Sequence, residues 1–177
     1  MIMGKRMVFF CSSFAGIDSK YDEVAKGAVE AACRRGYEIV YGGTYKGTMA
    51  VVHDTALACG AHIRGVLPRS MADVVSGGLT ETVWTDTMSQ RKDAMREGAD
   101  IAVALPGGVG TIDELSETFC LAKMDLFKGR LVVFNLDGFY DDWLRQIDKC
   151  VANGMLYPET VAKLERVTSV DEFVKLI

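Results

Sequence analysis

Short apolar runs alternate along this chain with longer stretches whose apolar positions recur at helical spacing. Met7–Cys11 predicts a first strand. Tyr21–Arg35 follows with Val24, Ala28, Ala31 and Ala32 on one helical face, and Gly36 ends it. Glu38–Tyr41 predicts a second strand, Thr48–Cys59 a second helix stopped by Gly60, and His62–Leu67 a third strand closed by Pro68. Residues 69–79 read as irregular or partly helical, with a turn at Gly77-Gly78. Thr82–Thr85 predicts a strand and Thr87–Glu97 a helix. Asp100–Leu105 is a near-continuous apolar run, as a strand covered on both faces requires. Thr111–Leu126 predicts a helix, Leu131–Leu136 a strand and Phe139–Asn153 a helix ended by Gly154. Ser169–Ile177 predicts a short helix with Ser169 as its N-cap.

Strands alternating with helices dictate a parallel sheet covered on both faces, so the expected fold is α/β and doubly wound. No repeat, linker or low-complexity stretch divides the 177 residues, and residues 1–177 read as one domain. A chain of this size buries about 70% of the surface its unfolded form exposes, enough for a core without staples.

Composition narrows the chemistry. The net charge of −4 argues against a nucleic-acid partner, which needs a basic excess. Five cysteines, at 11, 33, 59, 120 and 150, lack framework spacing and read as reduced thiols of a cytoplasmic protein. His53 and His62 have no cysteines at zinc spacing, so no metal is expected, and His53 reads as a packing or surface residue. No segment approaches the about 20 apolar residues of a membrane span, and no signal pattern opens the chain. Met49, Met88, Met95 and Met124 fall at helical spacing with other apolar residues and read as core.

In open α/β sheets, ligands bind beyond the carboxyl ends of the strands. Three such ends carry small residues: Cys11-Ser12-Ser13, Gly42-Gly43-Thr44 and Pro106-Gly107-Gly108. The third is the most informative. Its glycines let a backbone approach a phosphate, and the helix expected to open at Gly110-Thr111 offers free N–H groups. The alternative is a tight turn, but three glycines in four residues exceed what a turn needs. Gly42 and Gly47 have P-loop spacing, yet Thr48-Met49 stands where Lys-Ser/Thr should be, which disfavours a triphosphatase. The dinucleotide fingerprint lacks its third glycine. A monophosphate suits the loop better.

Two charged residues are candidates for chemistry. Thr111-x-x-Glu114 is a capping box by spacing, so Glu114 reads equally as a cap and as a catalyst. Arg91 shares a helix face with Met88, Ala94, Met95 and Gly98, and an inward guanidinium needs a partner or a cleft. Lys92 points elsewhere, toward solvent or the rim of a site.

Met88-Ser89-Gln90-Arg91-Lys92 followed by Pro106-Gly107-Gly108-Val109-Gly110-Thr111-Ile112-Asp113-Glu114 resembles the hallmark of the Lonely Guy (LOG) family, an Arg-Lys pair followed by Pro-Gly-Gly-x-Gly-Thr-x-x-Glu. The likeness extends to Cys11-Ser12-Ser13, Tyr41-Gly42-Gly43, Gly65-Val66-Leu67-Pro68 and Asn135–Tyr140. It implies a Rossmann-like domain and a phosphoribohydrolase that releases the free base and ribose 5-phosphate from cytokinin riboside 5′-monophosphates or AMP. It also implies a homodimer working without a cofactor. Arg91 and Glu114 would be the catalytic pair. Ser13, Gly43, Met88, Lys92, Pro106, Gly107, Gly108, Gly110 and Thr111 would border or hold the nucleotide. Members are often labelled lysine decarboxylases, but no lysine here stands out as a Schiff-base site. The family's usual glycine before the first-loop serines is missing, and its Gly-Gly-Gly-x-x-Gly-Leu-Met-Gly loop reads Gly42-Gly43-Thr44-Tyr45-Lys46-Gly47-Thr48-Met49-Ala50. The competing reading is a non-catalytic nucleotide or cofactor carrier of the same fold, for which neither charged residue is required.

Overall fold

A computed structural model describes residues 4–177. Its strands are β1 (Arg6–Phe10), β2 (Glu38–Tyr41), β3 (Ile63–Pro68), β4 (Glu81–Thr85), β5 (Ile101–Ala104), β6 (Arg130–Phe134) and β7 (Leu164–Val167). Its helices are α1 (Ser19–Arg34), α2 (Thr48–Ala58), α3 (Met88–Arg96), α4 (Val109–Lys123), α5 (Asp141–Ala152), α6 (Pro158–Val161) and α7 (Val170–Leu176). The strands form one seven-stranded sheet in the order β4-β3-β2-β1-β5-β6-β7, and every strand pairing is parallel. The fold is therefore the expected Rossmann-like α/β architecture.

The sheet separates two apolar layers. Alternate residues of the central strands face opposite ways: Met7 and Phe9 join one cluster, Val8 and Phe10 the other. The first cluster packs against α1, α2 and α7 through Ala25, Ala28, Val52, Ala56 and Phe173. The second packs against α3, α4 and α5 through Met95, Leu115, Phe119 and Leu144. Ile101–Ala104 is buried along its whole length, which explains its unbroken apolar pattern.

The topology places the site. The chain winds outward from β1 to β4, then returns so that β5 lies against β1 on the other side. The reversal opens a crevice beyond the carboxyl ends of β1 and β5. Among the described residues, no helix is long and apolar enough to cross a membrane.

Several boundaries differ from the sequence reading. Strand β7 and helix α6 were not expected, because Leu164–Val167 is only four residues long and places Glu165 and Arg166 side by side between its two buried residues, with no alternation to mark it. Arg130 at the start of β6 forks onto Glu165 at 2.7 and 2.6 Å, which fixes that edge pairing. Helix α5 opens at Asp141 rather than at Phe139, after a short 3-10 turn at Leu136–Gly138. Met124 is more than half exposed and Met88 lies on a cleft wall, so only Met95 of the expected core methionines is fully buried. His53 is a packing residue: Nε2 donates to the carbonyl of Gly77 at 2.7 Å, and Nδ1 lies 2.9 Å from Asp54 Oδ1.

Candidate functional site

Helix α4 opens two residues earlier than its sequence pattern suggests, and this changes the role of Glu114. The N-cap is Gly108, and no side chain caps the helix. The first intrahelical bond runs from the Ile112 N–H to the Gly108 carbonyl at 3.0 Å. The N–H groups of Val109, Gly110 and Thr111 precede it, so they point out of the helix end with the positive pole of its dipole. Thr111 lies inside the first turn and cannot serve as the N-cap, so the capping box is not formed. Glu114 turns instead toward α3.

Its partner there is Arg91. Nη1 of Arg91 donates to Glu114 Oε1 at 3.1 Å. The same guanidinium donates from Nε to the Val66 carbonyl at 2.9 Å and from Nη2 to the Gly42 carbonyl at 3.3 Å. Arg91 and Glu114 are 7% and 5% exposed, so the pair is withdrawn from solvent. Three acceptors hold the guanidinium: a carbonyl within β3, a carbonyl just past β2 and a carboxylate on α4. Substitution at Gly42 has no room, because a Cβ there would collide with Arg91 Nη2 and with Met49.

Burial pushes the Glu114 carboxyl above the ordinary carboxylate range, and Arg91 partly offsets this. Neighbouring groups stay neutral. Burial, reinforced by the Glu114 charge, drives the Cys11 thiol far up. Tyr140 is likewise pushed up by burial, and its hydroxyl donates to the Leu105 carbonyl at 2.7 Å. Arg91 and Glu114 are thus the charged pair of an otherwise neutral pocket.

Both line a cleft of about 210 Å³ at the crevice between β1 and β5. Its walls include Ser12, Ser13, Met88, Gly108, Gly110 and Thr111, as the sequence suggested. Thr44, from the second loop named from the sequence, lines it too, and Phe14, Met49 and Met71 also line it and were not anticipated. Met71 comes from a 3-10 stretch, Arg69–Val74, that has no periodic signal. Pro106 and Gly107 face an adjoining apolar cleft with Ile17, Tyr21 and Phe139. Gly107 still shapes the main site, since a Cβ on it would collide with the Thr111 hydroxyl. Gly43 lies behind the wall with φ +78°, where a Cβ would strike Leu67. Lys92 turns away from the cleft. Its Nζ is 2.9 Å from Asp113 and 3.2 Å from Glu117, so it clamps α3 to α4 beside the catalytic candidates. Arg96 extends the clamp to Glu117 at 2.7 Å.

Comparison with known proteins gives this geometry a family. Residues 49–177 match the family model described as "Possible lysine decarboxylase". A cytokinin riboside 5′-monophosphate phosphoribohydrolase of Arabidopsis thaliana is 33% identical over 154 residues, covering 86% of this chain and 72% of that protein. One from Rhodococcoides fascians is 32% identical over 163 residues, covering 90% and 82%. The chain belongs to the Lonely Guy family. Its named relatives are phosphoribohydrolases, enzymes that hydrolyse N-glycosyl bonds. Among solved structures, the molybdenum cofactor carrier protein of Chlamydomonas reinhardtii matches at a TM-score of 0.74 and 15% identity, covering 97% of this chain and 95% of that one. At that identity the likeness extends to the fold.

The Lonely Guy motif thus divides into three physical parts. Gly107, Gly108 and Gly110 keep the end of α4 open. Thr111 adds a hydroxyl to that end, and Glu114 reaches across to Arg91 one turn later. We expect Gly107→Ala, by displacing Thr111, to raise KM for a nucleoside monophosphate about tenfold, the loss of roughly one charge-assisted hydrogen bond, with a smaller change in kcat. Steady-state kinetics read this directly, and an unchanged KM would show that Thr111 does not hold the substrate.

Proposed function

We propose that the protein is a nucleoside 5′-monophosphate phosphoribohydrolase, releasing the free base and ribose 5-phosphate from AMP or an N6-substituted AMP such as a cytokinin riboside monophosphate. One observation carries the reading: a buried Arg–Glu pair stands one helical turn beyond an uncapped helix N-terminus, inside the cleft. An open helix end suits a dianion, and a carboxylate within about 5 Å along the helix axis suits a sugar carbon that becomes positively charged.

The steps follow from the residues. The 5′-phosphate binds the N–H groups of Val109, Gly110 and Thr111 and the Thr111 hydroxyl. This sets the ribose against Glu114. The bond between C1′ and the base nitrogen breaks, its electron pair leaves with the base, and oxocarbenium charge builds on the ribose. The Glu114 carboxylate stabilises that charge and takes a proton from the water whose oxygen bonds to C1′. That proton completes the departing base. Glu114 is the one carboxylate among the residues lining the cleft, so the two-carboxylate arrangement of common glycosidases does not apply. Arg91 keeps Glu114 oriented and favours its ionised form despite burial. A carrier would need neither a buried carboxylate nor an arginine held by three acceptors.

The test is a panel of purine and pyrimidine 5′-monophosphates and the matching nucleosides, incubated without added metal and separated by chromatography. We expect free base from AMP or an N6-substituted AMP, and at least about 100-fold lower kcat/KM for the nucleoside, since remote phosphate binding contributes to the transition state. No base from any member of the panel rules the reading out.

A further inference from the structure

Spacing along the chain pairs none of the five cysteines, but the fold brings two of them together. Cys33 lies in the last turn of α1, and Cys59 is the C-cap of α2. Both helices end in the same way. Gly36 and Gly60 follow with φ +75° and +66°, and the next N–H reaches back to Ala32 at 3.1 Å in one and to Ala56 at 3.0 Å in the other. These ends lie at the sheet edge opposite the catalytic cleft, where β2 and β3 begin. Cys33 and Cys59 line one groove of about 540 Å³ between the two helices, and a side-chain hydrogen bond joins them.

The two thiols differ in character. Cys59 is exposed, whereas Cys33 is partly buried and packs against the core layer beneath α1 and α2. Burial, with Cys59 adding to it, pushes the Cys33 thiol up to about 12. A solute therefore meets Cys59 first, with a protonated thiol in reserve beside it. Lys26, Glu30 and Arg34 on α1 and Thr55 on α2 complete the groove. Among the described residues, no third His, Cys, Asp or Glu joins the pair as a metal-ligand set, which favours sulfur–sulfur chemistry over metal binding.

We propose that Cys33 and Cys59 are a modification site that closes into a reversible disulfide, with a small-molecule disulfide as its oxidant. Cys59, as the thiolate, attacks one sulfur of that disulfide. Its S–S bond breaks, and one small thiolate leaves and takes up the proton that Cys59 lost. Cys33, as the thiolate, then attacks the Cys59 sulfur, and the second small thiolate leaves with the Cys33 proton. Two protein thiols are oxidised and one small disulfide is reduced to two thiols. The bond ties α1 to α2 at the end remote from the cleft. At the cleft end the Thr48 hydroxyl already ties them, donating to Asp22 at 3.0 Å. The helix ends have room to adjust, since a Cβ on Gly36 or Gly60 would meet nothing within 4 Å.

The test uses the whole chain, fully reduced and then exposed to oxidised glutathione under native conditions, and needs no enzymatic turnover. We expect the intact mass to fall by two hydrogens with no glutathione retained, and proteolytic mapping to give a linked Cys33–Cys59 peptide. The melting temperature should rise by roughly 5–10 °C, because the cross-link restricts the unfolded chain, and should fall back with dithiothreitol. Cys33→Ser should stop the reaction with glutathione on Cys59, and Cys59→Ser should leave Cys33 unmodified. Glutathione retained on Cys59 in the wild type, or a Cys33–Cys59 link that forms only in denaturant, overturns the assignment.

Discussion

Glu114→Gln is expected to lower kcat for base release about a thousandfold, the range a positioned acid or base contributes, while the protein stays folded. The glutamine oxygen can still accept from Arg91 Nη1, so the substitution removes charge and basicity without opening a hole. Folding should tolerate it for a second reason. The carboxyl holds its proton to higher pH in the folded chain than its ordinary value of 4.5. Such a group contributes its stability below the unfolded pKa, and that contribution is lost as pH rises through the folded pKa. At neutral pH the ionised Glu114 is therefore a cost that the amide avoids. Circular dichroism should show a native fold, and melting near that of the wild type at pH 7. A variant that retains full turnover would remove Glu114 from the mechanism.

Arg91→Met should have the largest effect on stability. It strands a buried carboxylate and leaves the Val66 and Gly42 carbonyls without their donor. Removing one partner of a buried pair costs about 3–5 kcal/mol, which in a chain of this size lowers the melting temperature by roughly 10 °C. The loss should depend on pH. Without Arg91 the Glu114 pKa rises further, so the penalty shrinks as pH falls and the carboxyl takes up its proton, and grows as pH rises, which pH 5 and pH 8 bracket. Whatever activity survives should show its acid limb moved to higher pH, because the working form is the carboxylate. Thermal melts at the two pH values test the first claim and a pH–rate profile the second. A melting temperature within about 2 °C of the wild type at pH 8 would mean that the pair contributes little to stability.

Most of the fold was legible because each inner strand is apolar on both faces and each principal helix has one apolar face. Asp100–Leu105 and Tyr21–Arg35 are examples. The edge strand β7 was not, because only half its residues are buried and its pairing depends on Arg130 and Glu165, 35 residues apart. The site was half legible. The glycines and the inward Arg91 gave their positions by local pattern. The direction of Glu114 did not follow from spacing, since Thr111-x-x-Glu114 fits a cap equally well. What decided it is where α4 begins, and Gly108 offers no side-chain signal for that. Thr44, Met49 and Met71 come from loops and helix starts that only tertiary closure brings together.

The entry of β5 beside β1 has a consequence for how the protein comes into being. Phe10 and Ala104 are neighbours in the sheet but 94 residues apart in the chain. Until β5 arrives, β1 has one unpaired side, and Ser12 and Phe14 lack Pro106 and Gly107 across the adjoining cleft. Closing so long a loop comes late in folding. During synthesis the segment through Arg96 would carry Arg91 with no carboxylate to meet it and an open strand side that invites wrong pairing. A nucleotide therefore has no complete seat on a half-made chain, and its capture would report that the centre of the sheet has closed.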